Sequence, residues 1–382
     1  MVIPRKINFL QLGRNGTRSE QCYRQTFERQ VDWMEFNLWM SAFNFRHGSR
    51  RMGIAIDPSY IPKAGKQPPH IGTFWSGCAG AVKRGLEILG IGLIGVDLHE
   101  CMMLRAVQTA LEKGCEKDEM TLYQWYAKVL HDYRDKLQRA SRHIVGDAAF
   151  SKRTFVDLIL PDGFHLVSRL RSDAVLRYVW EGGPTGRRGR PRVKGDKIDF
   201  SNLDKSMMRK LDIDPEDGEA YALKAHCKSL GRVVSLAIHI MPKGGHKLYF
   251  STDENMPGKH VIEYYRTRFQ IEFNFRDAKQ FTGLTDSQAR SSEKHTVGCG
   301  FIRVCLWCLN FCVVLCQTLF CSLYSFFFGH LLLLFLLPCD SIYFYIFTIF
   351  VFRVNTHIIE IYSPILHDID NITIVVIHIP QV

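Results

Sequence analysis

The stretch 265–279, YRTRFQIEFNFRDAK, spaces a tyrosine, two cations and a carboxylate in a way that chemistry can use. On a helix that turns about 100° per residue, with Tyr265 at zero, Arg268 falls at about −60°, Glu272 at about −20° and Lys279 at about −40°. The four share a stripe about 60° wide and roughly 21 Å long. Arg276 borders the stripe, while Asp277 and Glu263 point elsewhere. Phe269 and Phe273 flank it on one side, Ile271 and Phe275 on the other. A lone carboxylate between cations suits a metal-binding acid set beside a phosphate backbone. Glu takes a hard cation, Arg and Lys neutralise phosphate, and Tyr packs or donates. The same residues also fit an ordinary amphipathic helix with an Arg268–Glu272 ion pair at i,i+4, and the helix alone does not decide between the two.

A second basic feature is the segment 182–197, GGPTGRRGRPRVKGDK. Arg187, Arg188, Arg190 and Arg192, with Gly189 and Pro191, resemble the Arg-Gly-Arg-Pro core of an AT-hook. Such a strip lays Arg into a narrow minor groove. The segment 184–197 holds six Lys/Arg and one acid, so salt-sensitive DNA affinity is expected whether it reads bases or stays a solvated loop.

The elements that must position these groups follow from periodicity. Residues 53–61, GIAIDPSYI, alternate and are β-branched, which predicts a strand carrying Asp57. Prolines and glycine at 58–69 mark a loop. Residues 86–97 read as one or two further strands, ending at Asp97. Residues 116–140 predict a long helix, with apolar residues at 3–4 spacing. Residues 143–147, HIVGD, form a short apolar strand that ends in Asp147. Strands are predicted at 165–170, 233–240 and 247–252. Residues 20–43 look helical, and 260–281 predicts one helix with Gly283 just beyond it.

Tyr-x2-Arg-x3-Glu-x6-Lys, met here as Tyr265, Arg268, Glu272 and Lys279, resembles the signature of the IS-four family of insertion-sequence transposases, within the Asp-Asp-Glu transposases. At roughly one in twenty per position, a chance match in a chain of this length is on the order of 0.2%. The resemblance covers about residues 10–294. It implies an α/β fold, with an RNase H-like catalytic core and a β-rich insertion between the second Asp and the Glu. It also implies two further metal-binding Asp residues. Asp57 fits the first and Asp147 the second, while Asp97 competes for the first role from a later strand. Asp57, Asp147 and Glu272 would then be catalytic and would hold two Mg²⁺ or Mn²⁺ ions. Tyr265, Arg268 and Lys279, with Arg187, Arg188, Arg190 and Arg192, would contact DNA. The implied reaction is phosphodiester hydrolysis at transposon ends, then transfer of the 3′-hydroxyl into target DNA. The implied partners are double-stranded DNA and a second copy in a synaptic homodimer, with no small-molecule substrate.

The implied organisation is a helical region at 1–52, core at 53–160, the insertion with its basic loop at 161–240, core with the signature helix at 241–294, and an apolar tail at 295–382. Composition separates that tail from the rest. The chain has 382 residues and net charge +11. Residues 301–382 hold two Arg, four acids, eleven Phe and no Lys, Ala or Met, leaving a net charge of +13 on 1–300. A surplus of that size makes nucleic acid or an anionic membrane surface the first partners to consider. The uncharged run at 304–339 is long enough to span a bilayer. Its composition is also what T-rich DNA encodes out of frame, so a frameshifted or truncated element copy is the expectation for the tail, with a membrane anchor as the alternative. Cys305, Cys308, Cys312 and Cys316 fall on one helical face and read as small hydrophobes. Six of the twelve Cys lie in the last 82 residues, and the others are too scattered for a secreted disulfide framework. The expected location is the cytoplasm, on the nucleoid. The competing functions are a membrane-tethered DNA-binding protein without catalysis and a metal-dependent nuclease without strand transfer.

Overall fold

Period-two alternation organises the first strand. β1 (Met52–Pro62) turns the fully buried Ile54 and Ile56 to one face, and Gly53, Ala55, Asp57 and Ser59 to the other. After β2 (Gly72–Ser76), the long β3 (Ala81–Gly95) pairs antiparallel with β1 from Met52↔Gly95 to Pro62↔Gly85. β4 (Glu100–Gln108) pairs with β3, with a register shift at Ile91/Gly92. This register sets Gly90 opposite Asp57 and Gly92 opposite Ala55. One face of the β1–β3 ribbon is therefore lined by small residues, and the helices at 258–281 pack there.

The computed structural model describes residues 9–26, 32–45, 48–63, 70–110, 120–180, 182, 194–281 and 284–285. The predicted basic arginines Arg187, Arg188, Arg190 and Arg192, and the tail from 295, lie outside them. The chain divides into two compact units, Arg24–Val304 and Met1–Tyr23 with Cys305–Val382. Helices α1 (Phe9–Asn15), α2 (Glu20–Thr26) and α3 (Trp33–Phe45) precede the first strand. No helix among the described residues is long and apolar enough to cross a membrane.

The helix predicted at 116–140 is two among the described residues, α4 (Leu122–Asp132) and α5 (Arg134–Gln138), separated at Tyr133. A capping box starts α4. The Thr121 hydroxyl accepts from the Gln124 N–H, and the Gln124 side chain accepts from the Thr121 N–H. Next come β5 (His143–Val145), α6 (Arg153–Ile159) and β6 (His165–Leu170). β5 lies parallel to β1 on one side and to β6 on the other. The remaining strands are β7 (Leu176–Val179), β8 (Lys194–Lys197), β9 (Arg209–Leu211), β10 (Glu219–Cys227), β11 (Arg232–Ile240) and β12 (His246–Ser251).

The twelve strands of the described residues form one sheet, ordered β2-β3-β1-β5-β6-β12-β11-β10-β7-β8, with β4 on β3 and β9 on β10. Apart from the two pairings of β5, every ladder is antiparallel. The segment read as an insertion thus shares its sheet with the core: β6 sits between β5 and β12, and β11 continues from β12. The last helices among the described residues are α7 (Gly258–Thr267) and α8 (Gln270–Phe281). The sequence predicts one helix there. The Thr267 hydroxyl donates back to the Glu263 carbonyl, and Ile271 and Glu272 reach only three residues back, to Arg268 and Phe269. The ladder tightens at that point and the helix divides at Arg268–Phe269.

Candidate active site

Three carboxylates far apart in sequence come to one region through three different elements. Asp57 projects from the middle of β1 on its small-residue face. Asp147 follows β5 immediately and caps a short 3-10 turn, its Oδ1 accepting from the Ala149 N–H at 2.9 Å. The Ser168 hydroxyl on β6 donates to the Asp147 carbonyl at 2.7 Å and fixes the turn to the sheet. Glu272 lies in the first turn of α8.

Arg268, at the division between the two helices, is 9% exposed and links two of these acids. Its Nη2 donates to Glu272 Oε1 at 2.7 Å and its Nη1 to Asp57 Oδ1 at 3.3 Å. The guanidinium also stands 5.8 Å from the Tyr265 ring centroid. Lys279 donates to the Ser59 hydroxyl at 2.8 Å, two residues along β1 from Asp57. The predicted stripe of Tyr265, Arg268, Glu272 and Lys279 therefore does face one region, across the helix break.

Burial pushes the Asp57 carboxyl up to about 7. The charges of Glu272 and Asp147 add to that rise, while Arg268 and Lys279 oppose it. All three acids thus share one electrostatic field. The Arg268 guanidinium is itself held above its ordinary value. Burial works against its charge, but its hydrogen bond to Glu272, together with the negative charge of Asp57, outweighs that.

Asp97, the competitor for the first role, has a different task. In the turn after β3 its carboxylate accepts from the backbone N–H groups of Arg50 and Arg51 at 3.0 Å and from Arg51 Nε at 2.7 Å. Arg51 also pairs with Glu263 of α7. Burial raises the Asp97 carboxyl, but these donors outweigh it and hold it at about 2.

A cleft of about 390 Å³ opens beside Asp147. It is lined by Arg169 of β6, Lys247 and Tyr249 of β12, and Tyr265 and Arg268 from the helix junction. The Tyr249 and Tyr265 rings stand 5.2 Å apart. Sequence reasoning did not single out Arg169, Lys247 or Tyr249. The signal was there in HKLYFS, whose alternation sets Lys247 and Tyr249 on one face.

The donor set fits a hard divalent cation in kind: carboxylate oxygens from three elements, one of them destabilised by the charges of the other two. Among the described residues no group of three acids, His or Cys is already drawn together as a metal cage. Arg268 occupies the space between Asp57 and Glu272.

The family model for the transposase DDE domain matches residues 50–310, a span that includes all three acids and the cleft. The chain belongs to the DDE transposase family. The family's domain is RNase H-like, and the fold is a mixed α/β architecture built on a large, mostly antiparallel sheet. No curated protein matches the chain. Among solved structures, endonuclease V from Bacillus subtilis is similar at 9% identity over 63% of this chain and 84% of that one, with a TM-score of 0.28. At that score nothing rests on the likeness. Membership makes this DDE transposase a nucleic-acid-cleaving enzyme in class and DNA its partner.

Proposed function

We propose that this DDE transposase is of the IS-four type, cleaving the ends of an insertion sequence and joining the freed 3′-hydroxyls to target DNA. The observation that carries the reading is the gathering of Asp57, Asp147 and Glu272 into one field around Arg268, from a first strand, a strand after an intervening helix and a late helix. The Tyr-Arg-Glu-Lys spacing supports the IS-four assignment.

In this reading Asp57, Asp147 and Glu272 would hold two Mg²⁺ or Mn²⁺ ions. When bound, such ions activate the attacking water or 3′-hydroxyl and stabilise the leaving oxygen. The chain's own groups bind and orient. Arg268 holds Glu272 toward β1 and supplies a charge-assisted donor for a phosphate oxygen. Lys279 neutralises phosphate on the Asp57 side of the site, and Arg169 and Lys247 do so on the Asp147 side. Tyr249 and Tyr265 wall the cleft and limit water there. Two ends are processed together, so a homodimer in a synaptic complex on the nucleoid is part of the same proposal.

The test is incubation of the full chain with duplexes bearing the element's terminal repeats and Mg²⁺. The expected products are nicked ends and joined strands. Asp57→Asn, Asp147→Asn and Glu272→Gln should each lower nicking by at least about 10²-fold. Nicking without joining would make the protein a nuclease instead. Cleavage that survives Glu272→Ala would be fatal to the catalytic assignment.

A further inference from the structure

The β2–β3 ribbon is not used by the chemistry above, and its surface is unusual. Residues Ala81, Val82, Lys83 and Arg84 are all exposed, so both faces of this end of β3 meet solvent instead of alternating. Trp75 and Val82 are paired directly across the ribbon, and are 61% and 62% exposed. An exposed indole paired with an exposed valine makes a contiguous apolar patch, the kind of surface feature that marks a contact site when it is rimmed by polar groups. Lys83 and Arg84 form no ion pair among the described residues, and the ribbon sequence at 72–85, GTFWSGCAGAVKRG, holds no acid. The tip at Gly77 and Gly80 stands in open space, for a Cβ at either would meet nothing within 4 Å.

The root of the ribbon is firm. The Tyr60 hydroxyl donates to the Arg84 carbonyl at 2.6 Å. A Cβ on Gly85 would lie 2.5 Å from the Ile61 carbonyl oxygen, so the strands are closely joined there. Ile61 and Tyr60 lie on β1 just past Asp57 and Ser59. The ribbon therefore continues the strand that carries the first acid, beyond the end where Lys279 meets Ser59.

We infer that this ribbon is a DNA-contacting arm, which enters a groove of the duplex next to the bond being cut. A two-stranded antiparallel ribbon has the cross-section of a major groove. Lys83 and Arg84 reach the phosphates on the groove wall, while Trp75 and Val82 lie against apolar sugar and base edges. Self-association of the ribbon fits less well, because a symmetric pairing would bring the Lys83–Arg84 pairs of two copies together without a carboxylate to separate them. The inference rests on the DNA-transposase reading but is measured apart from its chemistry.

The experiment is fluorescence anisotropy of a labelled end duplex with the full chain, without divalent metal, across 50–200 mM salt. Lys83→Gln with Arg84→Gln should flatten the slope of log affinity against log salt by about 1.8. Trp75→Ser should weaken binding about tenfold or more, the scale of burying a large apolar side chain, and leave the slope unchanged. Both variants should remain in the oligomeric state of the parent. The side chains are exposed, so folding is checked simply by an unchanged Tm; Trp75→Tyr should recover part of the affinity. An unchanged slope in the double variant, or Trp75→Ser dissociating a dimer while DNA affinity holds, overturns the inference. A parent chain that binds DNA here, and nicks it once Mg²⁺ is supplied, while the ribbon variants bind equally well refutes the arm alone. A parent that binds no DNA refutes both readings.

Discussion

Arg268 is the residue on which the site turns. It neutralises Asp57 and Glu272 at once, in surroundings where two unpaired carboxylates repel each other. Removing its charge leaves Glu272 without its partner and pushes the buried Asp57 carboxyl, already raised, further toward its protonated form. A truncated partner of a buried pair costs about 3–5 kcal/mol, and the half-exposed Glu272 reduces that to about 2 kcal/mol here. Arg268→Gln should therefore be destabilised by about that amount when urea unfolding is followed in EDTA. Mg²⁺ should stabilise the variant more than the parent, because a divalent cation then replaces the missing charge without displacing a guanidinium. Equal stabilisation of both would show that Arg268 and the metal do not compete for the acids. A second residue prediction concerns Asp97. Its folded value of about 2 lies below the ordinary value near 3.8. The stability it contributes is therefore complete above about pH 4 and is lost as pH falls through about 2. With allowance for solvent screening, Asp97→Asn should cost about 1 kcal/mol at pH 6 in urea unfolding, and the gap should close toward pH 2.

At the scale of elements, the reach of Glu272 depends on how deeply α8 sits on the sheet. Gly90 lies opposite Asp57, and a Cβ there would come within 2.5 Å of the Phe275 ring. A Cβ on Gly92 would lie 2.6 Å from Cys101 Sγ and 3.4 Å from the Ile271 side chain. These glycines form a recess for the buried face of α8, Ile271 and Phe275, and so lower the whole helix onto β1. Gly90→Ala should push α8 outward, cost about 1–3 kcal/mol, and reduce kcat more than KM for end cleavage. Adding Phe275→Leu, which removes the offending ring edge, should restore part of kcat; no recovery would mean that Gly90 acts by another route. Much of this was legible in the sequence. Alternation at 53–61 predicted the strand bearing Asp57, HIVGD predicted Asp147 at a strand end, and spacing predicted the stripe on the helix at 260–281. The helix division at Arg268–Phe269 was hidden, since neither Gly nor Pro marks it and a threonine hydroxyl bonding backward makes it. The pairing of Gly90 with Phe275 was hidden as well, because LEILGIGLIG shows only a strand until the register with β1 is known.

The whole molecule joins a continuous sheet to an uneven charge. The strands from 161–240 extend the sheet that holds Asp57 and Asp147, so cations on β6 and β12 stand in fixed relation to the acids. Among the described residues Lys279 lies near Asp57, and Arg169 and Lys247 line the cleft beside Asp147; Arg187, Arg188, Arg190 and Arg192 come between β7 and β8 in the sequence, outside the described residues. No acid interrupts 184–193, and the net charge of +13 on residues 1–300 acts in the same direction. Each phosphate contact releases condensed counterions and adds about 0.9 to the slope of log affinity against log salt on a duplex. A chain making six to ten such contacts should lose about 10³–10⁵ in affinity between 50 and 200 mM salt. Replacing all four arginines of 187–192 with glutamine should lower the slope by about 3.6 if each meets a phosphate. The loss should be nearly uniform across duplex sequences if the segment only neutralises charge, and largest on A·T-rich duplexes if it lies in a narrow minor groove. In either case single-turnover cleavage of already bound ends at low salt should stay within about threefold of the parent, because the three acids and Arg268 are untouched. A cleavage defect that persists at saturating DNA and low salt would instead place these arginines at the reacting phosphate, and the division of labour between the sheet and the basic segment would have to be redrawn.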